Sequence, residues 1–275
     1  MPIKTVLLTG ASGFIGSHIR ARLLAEKRFK LVSVVRNKSA FLATEREAVI
    51  QGDFYDPSVL KSIREPIDVI IHCAAIRGEQ TIPEAEYEKV NVAGTEELLK
   101  FAKKNRIPRF IYLSSVGVLG TIPDPQPAEA DQPPRPDGKY HRSKWQAEEL
   151  VRRFHSQTLQ TLILRPTITY GTGDDGFIYK LTELVTPRHF VFPLYPVKIH
   201  LLNVEVLADF IVKQLGNEHF SGESYIVADA QPVLLKAVVD LLARELCSKA
   251  YPKYLRVPGI VFMAAKWFVG KIGKI

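Results

Sequence analysis

Cysteine is scarce: Cys73 and Cys247 are the only two in 275 residues. Set in what read as a buried strand and a helix, they supply neither a disulfide framework nor a metal-ligand cluster, and such usage fits a reducing compartment. Long apolar runs are absent as well. No stretch approaches the ~18 residues that a membrane-spanning helix requires. The chain enters a strand-like pattern without a charged-then-apolar leader, so it is expected to be neither secreted nor membrane-spanning. Repeats and low-complexity tracts are missing too. The formal net charge of +8 attracts anions in general. Lysine and arginine are nevertheless scattered, so no nucleic-acid partner is expected, and a phosphorylated cofactor is sufficient to use the surplus charge.

What is present is ordinary globular composition, 46% hydrophobic and 24% charged. Strand-like runs at 4–9, 31–36, 49–51, 69–73, 110–114 and 161–165 alternate with amphipathic segments at 15–26, 57–63, 83–105 and 140–155. Nearly continuous apolar strands alternating with helices predict an α/β fold, a doubly wound parallel Rossmann-type sheet covered on both faces. Between Thr121 and Gly138 stand Pro123, Pro125, Pro127, Pro133, Pro134 and Pro136, too many for a helix or a central strand. This segment reads as a long surface loop, a kind that is often functional. After Pro166 the rhythm weakens and returns near 199–216. Residues 1–165 with about 199–216 are expected to form an NAD(P)-binding domain, and 166–198 with 217–275 a small C-terminal substrate-binding cap.

Gly10, Gly13 and Gly16 follow the first strand and open a helical pattern. Glycines there let the chain bend sharply, bring main-chain N–H groups to a pyrophosphate and place that anion on a helix N-terminus. Ser12, Phe14 and Ile15 belong to the same turn and join the cofactor-binding candidates. Arg36 and Lys38 stand where an NAD-preferring site would place an acidic residue on the ribose, and a guanidinium there pairs with a 2′-phosphate. NADP is therefore the expected cofactor, with NAD the alternative. Asp53 and Phe54 follow the third strand near the expected adenine position, and Ala74 and Ala75 end the fourth, where small residues let the cofactor cross. His72 reads as a packed or hydrogen-bonded histidine.

Tyr140 and Lys144 stand four apart, hence on one face of a helix. A nearby cation is expected to lower the phenol's pKa and make the tyrosine a proton donor or acceptor. The strand at 110–114 runs into Ser114 and Ser115, and a hydroxyl there could orient a substrate oxygen.

The segments TGASGFIG, HCAA, NVAGT, SSVGVLG, YHRSK and LRPTITYG occur in that order. Together they resemble the extended short-chain dehydrogenase/reductase family, also called the NAD-dependent epimerase/dehydratase family. The resemblance covers about the first 230 residues. It implies that Tyr140 is the catalytic acid/base, that Lys144 binds the nicotinamide ribose and tunes Tyr140, and that Ser115 orients the substrate oxygen. Asn91 matches a family asparagine, and Pro166 and Ile168 match the segment lining the nicotinamide. Leu119 replaces the family's usual tyrosine, and the asparagine that many sugar-nucleotide enzymes carry after Arg165 is missing. With Arg36, these departures favour an oxidoreductase interconverting a small-molecule ketone or aldehyde and an alcohol by hydride transfer. The alternatives are a nucleotide-sugar epimerase or dehydratase with bound NAD and a non-catalytic dinucleotide-binding regulator. A homodimer and a cytoplasmic location are further expectations.

Phe177, Tyr179, Phe190, Phe192 and Tyr195 could line an apolar pocket or fill a small core in the cap. Val257, Ile260, Val261, Ala264, Ala265, Phe268 and Val269 recur at helical spacing beside Lys266, Trp267, Lys271 and Lys274. Such a stripe packs against a cap or makes peripheral contact with an anionic membrane.

Overall fold

A computed structural model describes residues 4–38, 41–77, 81–123, 126–193, 196–217, 219–252 and 255–257. The chain begins with β1 (Lys4–Thr9), α1 (Phe14–Ala25), β2 (Phe29–Val35), β3 (Glu47–Gln51), α2 (Pro57–Ser62) and β4 (Val69–His72). It continues through α3 (Glu84–Tyr87), a π turn (Glu88–Ala93), α4 (Gly94–Lys104), β5 (Arg109–Leu113), a 3-10 turn (Val116–Leu119), α5 (Gly138–Phe154) and β6 (Gln160–Pro166). Next come β7 (Ile168–Tyr170), α6 (Phe177–Val185), β8 (Phe192–Pro193), β9 (Lys198–Ile199), β10 (Leu201–Asn203), α7 (Val204–Gln214) and β11 (Ser224–Val227). Last are β12 (Val233–Leu234), α8 (Leu235–Cys247) and β13 (Arg256–Val257).

Seven parallel strands form the main sheet in the order β11-β6-β5-β4-β1-β2-β3. Val6, Leu7, Leu8, Ile70, Ile71, Phe110, Ile111, Ile163 and Leu164 are sealed from water, as strands covered on both faces must be. Leu98, Leu99, Ala147 and Val151 from α4 and α5 share one cluster with Leu7, Ile70, Phe110 and Ile163. Each fully buried leucine or isoleucine contributes about 1.5–3 kcal/mol. The strand order reverses between β1 and β4, whose register pairs Thr9 with His72. Open α/β sheets bind ligands at the carboxyl ends beside such a reversal.

Two compact units divide the chain: residues 1–167 with 204–227, and 168–203 with 228–275. The sequence pattern returns the chain to the sheet at about 199–216 and leaves everything from 217 to the cap. The returning segment instead starts at Val204 and includes β11, which pairs Ser224 with Ile163 and Val227 with Pro166. As a four-residue, partly exposed edge strand, β11 carries too little apolar signal to be read from sequence.

Within the second unit, Leu181 and Val185 of α6 and Leu235, Val239 and Ala243 of α8 pack with Tyr251. Phe190 joins this small core, whereas Phe177 and Tyr179 are 41% and 48% exposed. Tyr195 and the side chain of Phe192 lie outside the described residues. So does the C-terminal stripe beyond Val257, including Ile260, Phe268 and Lys274. Among the described residues no helix is long and apolar enough to cross a membrane.

Candidate active site

The glycine turn brings the ends of β1 and β4 together. Gly10 adopts a left-handed φ of +77°, and a Cβ there would lie 2.7 Å from the Ala74 nitrogen. The Gly13 N–H donates to the Gly10 carbonyl at 3.0 Å. A Cβ on Gly16 would meet that same carbonyl oxygen at 2.0 Å, so only glycine lets the first turn of α1 pack here. Gly13 caps α1 without a side chain, and no acidic residue lies in its first turn. The helix therefore presents unsatisfied N–H groups and the positive end of its dipole, which fits a pyrophosphate. Ser12 is exposed, and Phe14 and Ile15 are half-buried at the helix start.

Arg36 and Lys38 are exposed just past β2, the neighbour of β1. Asp53 is half-buried after Gly52, Ala75 is half-buried beyond β4, and Phe54 turns inward. The Phe54 ring centroid lies 4.9 Å from that of His72, and a Cβ on Gly94 would be 3.1 Å from its edge. Phe54, expected among the cofactor residues, thus belongs to the buried cluster beneath them.

His72 is fixed at both ring nitrogens. Thr95 Oγ1 donates to the Asn91 carbonyl at 2.6 Å, so it accepts from His72 Nε2 at 3.0 Å. His72 Nδ1 then accepts from Thr9 Oγ1 at 2.6 Å, while the Ala74 N–H approaches Thr9 Oγ1 at 3.4 Å. Burial, and secondarily the charge of Lys144, holds the imidazole pKa well below its usual value. A neutral imidazole in one tautomer ties the ends of β1 and β4 to the first turn of α4, as its hydrogen-bonded reading anticipates.

Asn91 is equally committed. Its Oδ1 accepts from the Ile76 N–H at 2.8 Å, and its Nδ2 donates to the Ile76 carbonyl at 2.9 Å and to Ser143 Oγ at 2.9 Å. Ser143 Oγ donates to the Tyr140 carbonyl at 2.8 Å. Asn91 therefore clamps the segment after β4 to the turn of α5 that carries Tyr140. The π turn, where the sequence pattern expects one continuous helix, brings the residue to this position.

Lys144 is 2% exposed, and its ammonium stands 4.3 Å from the ring centroid of Tyr112. Burial lowers its pKa to about 7, opposed by Cys73 and Glu148. The Cys73 thiol is pushed up to about 12 by burial. Tyr140 is half-buried, and burial raises its phenol to about 12 against the opposing charge of Arg77. The expected lowering by a nearby cation is thus outweighed by desolvation. Arg77, five residues past the end of β4, opposes that rise, and its place carried no sequence signal.

Ser115 Oγ accepts from the Gly117 N–H at 3.1 Å, which leaves its own proton to donate. Ser114 is 5% exposed and finds no side-chain hydrogen-bond partner among the described residues. Leu119, the replacement for the family tyrosine, is buried in the 3-10 turn. Pro166 is buried at the end of β6, and Ile168 is half-buried at the start of β7.

Sequence reasoning missed one buried ion network. Arg165 donates from Nε to Glu148 Oε1 at 3.0 Å and from Nη2 to Oε2 at 2.8 Å. Arg152 Nη2 reaches the same Oε2 at 2.8 Å, and Arg165 Nη1 donates to the Ala130 carbonyl of the proline-rich loop at 2.8 Å. The signal was present: Glu148 stands one helical turn beyond Lys144 on the same face.

The family model described as NAD dependent epimerase/dehydratase matches residues 6–189. A UDP-glucose 4-epimerase of Vibrio cholerae is 30% identical over 254 residues, covering 87% of this chain and 75% of the relative. A 4-hydroxy-2-methyl-3-oxo-4-farnesyl-3,4-dihydroquinoline-1-oxide ketoreductase of Stigmatella aurantiaca is 28% identical over 270 residues, covering 94% and 77% respectively. The solved structure of a Bordetella bronchiseptica enzyme in complex with NAD+ superposes with a TM-score of 0.78 at 21% identity, covering 91% of this chain and 84% of that one. Matched across most of its first unit, the chain belongs to the NAD-dependent epimerase/dehydratase family.

Proposed function

We propose that the protein is an NADP(H)-dependent oxidoreductase that interconverts a ketone or aldehyde and an alcohol. The observation carrying this reading is Tyr140 held one helical turn from the buried Lys144 on α5. With its pKa near 12, Tyr140 is protonated at neutral pH and is suited to donate to a carbonyl oxygen as that oxygen gains negative charge. In the reverse direction Tyr140 starts as the phenolate, and its oxygen accepts the alcohol proton. Ser115 donates its remaining proton to the substrate oxygen and holds it in line with Tyr140. Lys144 holds the nicotinamide ribose and adds positive charge beside the phenolate when one forms. The dinucleotide, when bound, supplies or accepts the hydride.

The residues present fit that dinucleotide: the Gly10–Gly13–Gly16 cradle takes the pyrophosphate, and Arg36 with Lys38 takes a 2′-phosphate. We assign Asp53 to the adenine end, Ala74 and Ala75 to the crossing, and Pro166 and Ile168 to the nicotinamide. The test is to identify the nucleotide released from the purified protein and then to screen carbonyl and alcohol compounds while following NADPH and NADH absorbance. Turnover with NADPH and a carbonyl compound is expected.

A second reading rests on the similarity to a UDP-glucose 4-epimerase. A nucleotide-sugar epimerase retains its NAD through each cycle, so tightly bound NAD together with isomerisation of a UDP-sugar would establish it in place of the first.

A further inference from the structure

Asp137 stands at the N-cap of α5, where an aspartate ordinarily accepts from an N–H of the first helical turn, yet its side chain makes no such bond. Both of its oxygens are used elsewhere. Oδ1 meets His141 Nδ1 at 2.7 Å, and Oδ2 accepts from the Thr121 N–H at 3.1 Å. One carboxylate therefore pins the beginning of the proline-rich loop to its end and orients the imidazole that follows Tyr140. The carboxyl pKa falls to about 2, since the bonds from Thr121 and His141 together outweigh its partial burial.

The His141 ring, so held, presses on Gly117. A Cβ at Gly117 would lie 2.1 Å from Nε2 and 2.4 Å from Cδ2, so no other residue fits beneath the ring as it stands. Gly117 in turn donates its N–H to Ser115 Oγ. On its far side the same 3-10 turn is tied to the loop by the Arg135 N–H, which donates to the Val118 carbonyl at 3.0 Å. The rings of His141 and Tyr140 lie 5.5 Å apart. Ser115, Gly117, His141 and Asp137 are thus linked in one line from the hydroxyl to the start of the helix that carries Tyr140.

We propose that His141, held by Asp137, is a positioning residue that fixes the Ser115 turn against the first turn of α5. Its place beside Tyr140 sets where the Ser115 hydroxyl stands relative to the phenol. The imidazole itself moves no proton in the reaction. This inference rests on the reading of Ser115 and Tyr140 as the pair that meets the substrate oxygen.

The test compares the full-length parent with His141→Ala, Gly117→Ala, the double variant and Tyr140→Phe. Thermal midpoint, NADPH binding and amide NMR shifts are read alongside turnover of a carbonyl substrate. His141→Ala is expected to bind NADPH within about twofold of the parent while kcat falls by roughly tenfold or more, since small displacements of a reacting group cost up to a hundredfold. A merely structural role would not separate the two quantities in this way. The Gly117 and Ser115 amide resonances are expected to move, and Gly117→Ala is expected to lower the thermal midpoint far more in the parent than in the His141→Ala background. Parent-like kcat in a folded His141→Ala protein, with Tyr140→Phe inactive, would overturn the inference. Should Tyr140→Phe instead keep full turnover, the acid/base reading falls. Unmoved Gly117 and Ser115 resonances and additive midpoint losses would then dispose of the His141 link separately.

Discussion

Arg165 holds Glu148 through two parallel hydrogen bonds, with the side chains 2% and 0% exposed. Removing Glu148 strands the buried charge of Arg165 inside the first unit. Glu148→Ala is expected to cost about 3–5 kcal/mol of unfolding free energy, because two arginines lose their shared carboxylate. Replacing both partners, as Glu148→Leu with Arg165→Met, is expected to leave the protein more stable than Glu148→Ala. Urea unfolding midpoints decide it, and a single variant as stable as the parent would contradict the burial described.

Arg36 is expected to set cofactor choice. Arg36→Ala loses a charge-assisted pairing to the 2′-phosphate and weakens NADPH binding by about 1.5–3 kcal/mol, roughly tenfold to a hundredfold, with NADH little affected. Titration of both cofactors against both proteins measures this, and equal affinities in the parent would end the NADP reading.

Tyr140→Phe removes one oxygen and is expected to abolish turnover while leaving nucleotide binding intact. Lys144→Ala is expected to damage both, since the ammonium is assigned to the ribose as well as to the phenol. Single-turnover absorbance and nucleotide titration separate these outcomes.

Lys144 also makes stability depend on pH. Its folded pKa is about 7 against an ordinary 10.5, so between those values the unfolded chain binds more protons than the folded one. Stability contributed through this residue therefore rises as pH increases from 7 toward 10.5. Lys144→Met lacks that term. The parent's thermal midpoint, measured relative to that of the variant, is expected to climb between neutral and alkaline pH. A constant difference would show that the ammonium is hydrated.

The local parts of this protein could be read from its residues. β1, the glycine turn and α1 obey short-range rules, and the bond from the Gly13 N–H to the Gly10 carbonyl joins residues three apart. Tyr140 and Lys144 were found because a helix puts residues four apart on one face. What escaped depends on partners far along the chain. The amide of Asn91 serves Ile76 and Ser143, and the ring of Phe54 is claimed by His72 and Gly94, which no spacing rule reveals. The phenol of Tyr140 was expected to be acidified, because a cation can be counted from sequence whereas desolvation requires the folded surroundings.

The order of strands limits how the chain can be shortened. β6 has β5 on one side and, on the other, β11, which is contributed by residues after the 168–203 excursion. The bonds from the Thr167 N–H to the Val227 carbonyl and from the Ile163 N–H to the Glu223 carbonyl belong to that closing seam. A fragment stopping at Thr167 would follow the apparent border of the first unit and yet leave β6 as a long apolar edge with unpaired main-chain groups. Such an edge recruits strands from other chains, so the fragment would tend to aggregate.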